Sequence, residues 1–161
     1  PASRSRQIGY LSRELIEVLA TGDIQRVYWY GFVDFPAGYS ENERGLIDAA
    51  YAPKPAYPVL RYAIDYSQGR AEDMSQGAVK AFQFTPPGGS GRTVIAWTTD
   101  GSAITLEIPA EGESPAHVTW FPPEELMAGR CCAEAELAPE GGFYRVELGS
   151  DARFVAIGRG R

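Results

Sequence analysis

RVYWYGF, residues 26–32, is the stretch on which the fold turns. Val27, Trp29 and Gly31 share one face of an extended chain and Tyr28, Tyr30 and Phe32 the other, because successive side chains of a strand alternate. A strand that is apolar or aromatic on both faces is one buried on both, as in a parallel sheet covered by helices. One such strand cannot pair its own backbone N–H and C=O groups. The sequence contains no neighbour of the same kind, and it opens on Pro1 rather than Met. The expectation is therefore a chain cut from a longer protein that carries the missing strands.

Upstream of this strand, Ile8, Leu11, Leu15, Val18 and Leu19 recur at helical spacing and predict a helix over 5–21. Gly22 supplies the stop, since glycine enters the left-handed conformation at little cost. Downstream, 34–52 is rich in Gly, Pro, Asn and Tyr and reads as a loop. A second helix is predicted over 55–66, with Pro55 in its first turn and Val59, Leu60, Ala63 and Ile64 on one face. Helix, buried strand, loop and helix make residues 1–68 a fragment of an α/β unit.

Past residue 68 the polar run GRAEDMSQG leads into short β-like segments. Seven strands are predicted, over 79–85, 93–99, 103–109, 118–121, 131–137, 143–148 and 152–157. PPGGSG, DG, EGES, PEGG and GSD stand between them as turn signals. That spacing points to an antiparallel β-sandwich over 69–161. The fold class expected is α+β.

With 161 residues, 44% of them apolar, the chain has enough length and hydrophobic content for a packed core. The net charge of −6 argues against nucleic acid and against an anionic membrane surface, because binding phosphates requires a basic face that releases counterions. No apolar run reaches the length of a membrane span. The two cysteines, Cys131 and Cys132, are adjacent, where a disulfide ring strains the intervening peptide, and they are read as neighbouring strand positions, one in and one out. One histidine, His117, and no spaced Cys/His cluster exclude a zinc site, and no cofactor is expected.

Residues 7–64 resemble the end of the barrel in clan A (β/α)8 retaining glycoside hydrolases, the group of xylosidase-, iduronidase- and cellulase-like enzymes. The resemblance rests on an ordered set: Gln7 and Tyr10-Leu11 in the first helix, Thr21-Gly22 at its end, Val27-Tyr28-Trp29-Tyr30 in the strand, Asp34 after it, and Gly45-Leu46-Ile47-Asp48 before Lys54-Pro55-Ala56-Tyr57. It implies the last helix, strand and helix of the barrel, followed by the β-sandwich often attached to such barrels. Pro58 and Gly31 depart from the pattern; the glycine is read as a bulge or a close backbone approach.

Retaining glycosidases use two carboxyl groups about 5 Å apart, one as proton donor and one as nucleophile. The resemblance puts both upstream of Pro1, so no catalytic residue is expected here and the chain alone is expected to be inactive. Glu41-Asn42-Glu43 contains the Asn-Glu pair of the family's acid/base signature, but it lies in a polar loop with no strand before it and reads as solvated. The resemblance places Trp29 near the barrel mouth, where its indole face can stack on a sugar ring. Tyr30 and Asp34 complete the candidate substrate-binding set, with loop capping as the alternative role for Asp34. Trp97 and Trp120 read as sandwich core rather than a sugar platform, His117 as a packed or solvent-edge residue, and Gly88-Gly89-Ser90-Gly91 as a hairpin loop without a phosphate-loop lysine. The expected partner is a carbohydrate substrate, and the strand 26–32, left without neighbours, is expected to self-associate. The competing reading is a stand-alone carbohydrate- or protein-binding sandwich.

Overall fold

A computed structural model describes residues 4–24, 27, 28, 31–34, 45–89, 91–110, 112 and 114–158. The first helical run comprises α1 (Arg4–Gly9), a π turn (Tyr10–Glu14) and α2 (Leu15–Ala20). In the π turn the Leu15 N–H donates to the Tyr10 carbonyl, five residues back. The extra residue rotates the apolar face. Beyond it burial falls on Leu15 and Ile16, whereas Val18 and Leu19, expected on that face, are only half-buried. Gly22 ends the run at φ +72°, as its position predicts.

Residues 26–32 depart from expectation. Gln25, Arg26, Trp29 and Tyr30 lie outside the described residues, but Val27, Tyr28, Gly31 and Phe32 belong to no strand. Tyr28 is 80% exposed, and Val27 and Phe32 are exposed as well, so the two-sided burial is absent at these positions. Gly31 turns the chain at φ +78°. The aromatic pattern records a preference for burial, but burial needs a covering surface, and the described part of this segment gains little of one: Phe32 meets Tyr57 yet stays exposed. Among the described residues, extended pairing appears just past its end, where Val33 makes an isolated parallel bridge to Ile47.

Helix α3 (Ala56–Tyr66) follows Pro55, close to the predicted span, and buries Ala56, Val59 and Ala63. Ile64, assigned to the buried face from spacing, is exposed. The face is instead closed by Tyr62 and Tyr66, which stack at 4.2 Å and lean toward the sheet.

Eight strands follow among the described residues: β1 (Arg70–Asp73), β2 (Val79–Thr85), β3 (Arg92–Thr98), β4 (Ile104–Pro109), β5 (Ala116–Trp120), β6 (Ala133–Leu137), β7 (Phe143–Leu148) and β8 (Arg153–Ile157). They form a six-stranded sheet in the order β1-β2-β3-β8-β5-β6 and a two-stranded sheet β4-β7, with every pairing antiparallel. The seven predicted strands are all present. Strand β6 begins at Ala133, so both cysteines precede it, with Cys131 exposed and Cys132 half-buried. Two elements went unread. Strand β1 lies in the run taken as a polar linker; Arg-Ala-Glu-Asp carries no apolar alternation, pairs with β2 through its backbone, and its charges suit a sheet edge. The short helix α4 (Pro123–Met127) has proline at its start and Glu124 and Glu125 in its first turn, both favourable to a helix N-terminus.

The large sheet is buried on both faces. Phe82, Phe84, Ile95, Trp97 and Phe154 point to the helices and share one core with Ile8, Leu11, Ile16, Leu46, Val59 and Ala63. Ala81, Val94, Ala96, Val118 and Val155 point the other way and pack with Ile108, Tyr144 and Val146 of β4 and β7. Strand alternation thus assigns each residue of β2, β3 and β8 to one of two cores. Trp97, 3% exposed, has the core role expected of it. No helix is long and apolar enough to cross a membrane among the described residues.

Candidate functional site

Residues 32–34 and 46–54 are joined by backbone bonds that need no regular sheet. The Phe32 carbonyl accepts from the N–H groups of Leu46 and Ile47 at 2.9 and 3.1 Å, the Asp34 N–H donates to Ile47 at 3.0 Å, and the Lys54 N–H donates to Leu46 at 2.9 Å. These bonds bring Asp34, Gly45 and Lys54 together. Lys54 Nζ donates to Asp34 Oδ1 at 3.0 Å and Oδ2 at 3.2 Å, and the Gly45 N–H donates to the same Oδ1 at 2.8 Å. The Lys54 side chain is 3% exposed and that of Asp34 12%, so the pair is shielded from solvent. Gly45 is required by this approach: a Cβ there would stand 2.5 Å from the Val33 carbonyl carbon and 2.8 Å from Asp34 Oδ1. The Gly45 carbonyl in turn accepts from Gln7 Nε2 at 3.0 Å, which ties the loop to α1.

Asp34 is therefore the brace of this loop, in keeping with the capping alternative. Its Oδ1 is taken by two donors, while Oδ2, with only the longer Lys54 bond, keeps capacity for a further donor. Lys54, one of the chain's two lysines, entered the sequence reading as part of the Lys54-Pro55-Ala56-Tyr57 run that opens the second helix, with no role of its own. Its scarcity and its place beside Pro55 were the available signals, but its partner lies twenty residues away and only the fold discloses it. Trp29, Tyr30, Glu41 and Glu43 lie outside the described residues, so their relation to Asp34 belongs to the proposal below. Val27, Tyr28 and Phe32, which bracket the two aromatics, are exposed, and Phe32 meets Tyr57 edge-on at 6.2 Å between ring centroids.

The remaining sequence candidates are dispersed. His117 is half-buried in β5 with Nδ1 3.3 Å from Glu136 Oε1, a sheet-edge pair. Cys132 is pushed upward in pKa, first by burial and then by the neighbouring Cys131 thiol. Gly88, Gly89 and Gly91 lie between the paired strands β2 and β3, as expected of a hairpin loop. Trp120, read as core, is half-buried and covered by the Arg153 guanidinium 4.6 Å from its ring. Tyr62 links the helices to the sheet: its hydroxyl lies 2.7 Å from Thr119 Oγ1, and burial raises its pKa, keeping the phenol protonated. No group of three or more metal-ligating side chains converges among the described residues.

No protein-family model matches the chain, and no curated protein matches it in sequence. Solved structures do match in fold. One is a family 39 glycoside hydrolase from the gut symbiont Bacteroides cellulosilyticus WH2, at TM-score 0.68 and 21% identity over 96% of this chain and 30% of that one. A family 30 endoxylanase from Clostridium papyrosolvens C71 matches at TM-score 0.68 and 15% identity, over 98% of this chain and 39% of the other. A family 30 subfamily 8 xylanase from Clostridium acetobutylicum matches at TM-score 0.63 and 12% identity, over 98% and 40% respectively. This chain thus spans well under half the length of each. The likeness is one of fold: N-terminal helices followed by antiparallel sheets, an α+β arrangement similar to part of the structures of family 30 and family 39 glycoside hydrolases.

Proposed function

We propose that this chain is the C-terminal part of a glycoside hydrolase acting on O-glycosidic bonds, with residues 1–68 ending a (β/α)8 barrel and residues 69–161 forming its accessory β-sandwich. In this reading the catalytic carboxylates stand elsewhere in the protein. Trp29 and Tyr30 line a sugar subsite, and Asp34 places the loop and offers Oδ2 to a hydroxyl. The observation that carries the proposal is the exposure of Val27, Tyr28 and Phe32 beside a parallel bridge at Val33, on a fold similar to part of known glycoside hydrolases. Exposed apolar side chains next to a parallel bridge fit a place beside further parallel strands. In the full-length protein, Trp29→Ala should lower kcat/KM on an aryl glycoside by roughly tenfold, about 1.4 kcal/mol of transition-state binding. The 161-residue chain by itself should turn over none. Turnover by the chain alone that vanished on Glu43→Gln would overturn the assignment, because it would place the acid/base group in the 41–43 loop.

The same segment has a consequence for the chain in isolation. Exposed apolar surface beside unpaired backbone favours association. Sedimentation velocity should reveal concentration-dependent oligomers that Tyr28→Ser with Phe32→Ser disperses. A monomer at all concentrations would mean that residues 26–32 are covered from within the chain, and the stand-alone module would become the better reading.

A further inference from the structure

Helix α4 runs out before Gly129, whose φ of +79° turns the chain so that Cys131 and Cys132 follow outside any strand. In a strand the two side chains would have stood on opposite faces of the sheet. Here the thiols are close enough to share a hydrogen bond, and burial, followed by that contact, pushes Cys132 up to about 12. A protonated thiol is a poor nucleophile and a disulfide between neighbours is strained, so the pair is kept as two thiols. Cys131 is exposed and lines a cleft of about 400 Å³ together with Leu126 and Met127 of α4 and with Pro55 and Pro58 at the start of α3. Met127 is 53% exposed, and its unbranched chain is adaptable enough to bring the thioether to an ion held at the thiols. Among the described residues no third histidine, cysteine or carboxylate completes a set around the pair. Glu134, whose Oε1 accepts from Cys132 Sγ at 3.7 Å, is itself exposed and can turn into solvent.

We propose that Cys131 and Cys132 form a two-thiolate site for a soft, sulfur-seeking monovalent cation, namely cuprous copper, with Met127 as a third and weaker sulfur donor. The donor set selects the ion. Thiolate and thioether sulfur favour cuprous copper, whereas a structural zinc takes four ligands from cysteine, histidine or carboxylate, and calcium and magnesium take oxygen. Binding is an exchange of protons for metal: both S–H bonds break, two protons leave to solvent and two sulfur–copper bonds form. The copper stays cuprous throughout, and the two thiolates with one cation leave a single negative charge. A bridging ion also removes the strain of a direct bond, since the sulfurs no longer have to approach to about 2.05 Å. The site does not rest on the glycosidase reading, because none of its ligands belongs to residues 1–68.

The test is anaerobic titration of the reduced 161-residue chain with the cuprous acetonitrile complex, read by sulfur-to-copper charge-transfer absorption in the ultraviolet and by competition with bathocuproine disulfonate. One cuprous ion per chain should be retained. Cys131→Ser, at an exposed position, should weaken binding by more than about a hundredfold, beyond the roughly 10–100-fold typical of groups that only support a ligand. Cys132→Ser should do the same, Met127→Leu should cost several-fold, and His117→Gln should change nothing. The far-ultraviolet circular dichroism of Cys131→Ser should match that of the wild type, which separates loss of a ligand from loss of the fold. Three results would each overturn the site: no copper retained by the reduced chain, a Cys131→Ser chain that binds as tightly as the wild type, or zinc held as tightly as cuprous copper. Unchanged affinity in Met127→Leu would remove the thioether from it.

Discussion

Phe154→Ala is expected to destabilise the chain by about 3–5 kcal/mol, the usual cost of emptying a large buried aromatic site. Phe154 is 1% exposed in β8, with Tyr62 of α3 at 5.5 Å and Phe121 at 5.7 Å, both edge-on. The loss is large because these three rings join the helices to the sheet. Removing one strips contacts from both sides, and the flanking backbone of β3 and β5 is held by ladders that limit collapse into the gap. The same geometry makes a second, qualitative demand. Urea unfolding followed by far-ultraviolet circular dichroism and by Trp97 fluorescence should give coincident transitions, in the wild type and in the variant. Helical signal that outlasted the tryptophan transition would mean that residues before and after 68 fold separately, and that the shared core contributes little.

The second large effect is expected at the Asp34–Lys54 pair. Removing one member of a shielded ion pair deprives the other of a hydrogen-bonded partner of opposite charge, which costs about 3–5 kcal/mol, whereas replacing both by apolar groups is often close to neutral. Asp34→Ala should therefore destabilise by about 3 kcal/mol or more, since it also orphans the Gly45 N–H. Lys54→Met should cost less, because its methionine fills the same space. The double variant should be more stable than the sum of the two losses predicts, and a double-mutant cycle in denaturant reads the difference directly. Additive losses would show that the carboxylate and ammonium do not depend on each other, against the 3.0 Å contact. The half-exposed Arg145–Glu107 pair supplies the contrast. At a similar 3.1 Å separation, solvent screening should hold Glu107→Gln to at most about 1 kcal/mol.

Much of the architecture was legible because it is encoded locally. Helical spacing from Ile8 to Leu15, Gly22 as a stop, proline before Ala56, and short β-forming runs between glycine-rich turns each act over a few residues, and a local signal survives without knowledge of the fold. The sandwich strands were found for the same reason. Strand β1 was missed because an edge strand needs only a partner's backbone, which leaves no trace in Arg-Ala-Glu-Asp. Ile64 was misplaced because a face inferred from spacing alone does not say how wide the covering surface is, and here Tyr62 and Tyr66 take that place.

The sequence by itself determined the succession of elements, the acidic net charge and the apolar character of residues 26–32, since each follows from side chains and their near neighbours. Only the tertiary structure decided that one sheet would serve two cores, that Lys54 would seek Asp34, and that Arg153 would lie over the Trp120 ring. All three depend on groups tens of residues apart in the chain. Their meeting is governed by which surfaces cover which, and hydrophobic burial is non-directional: it specifies that Tyr28 and Phe154 both favour cover, but not which of them obtains it.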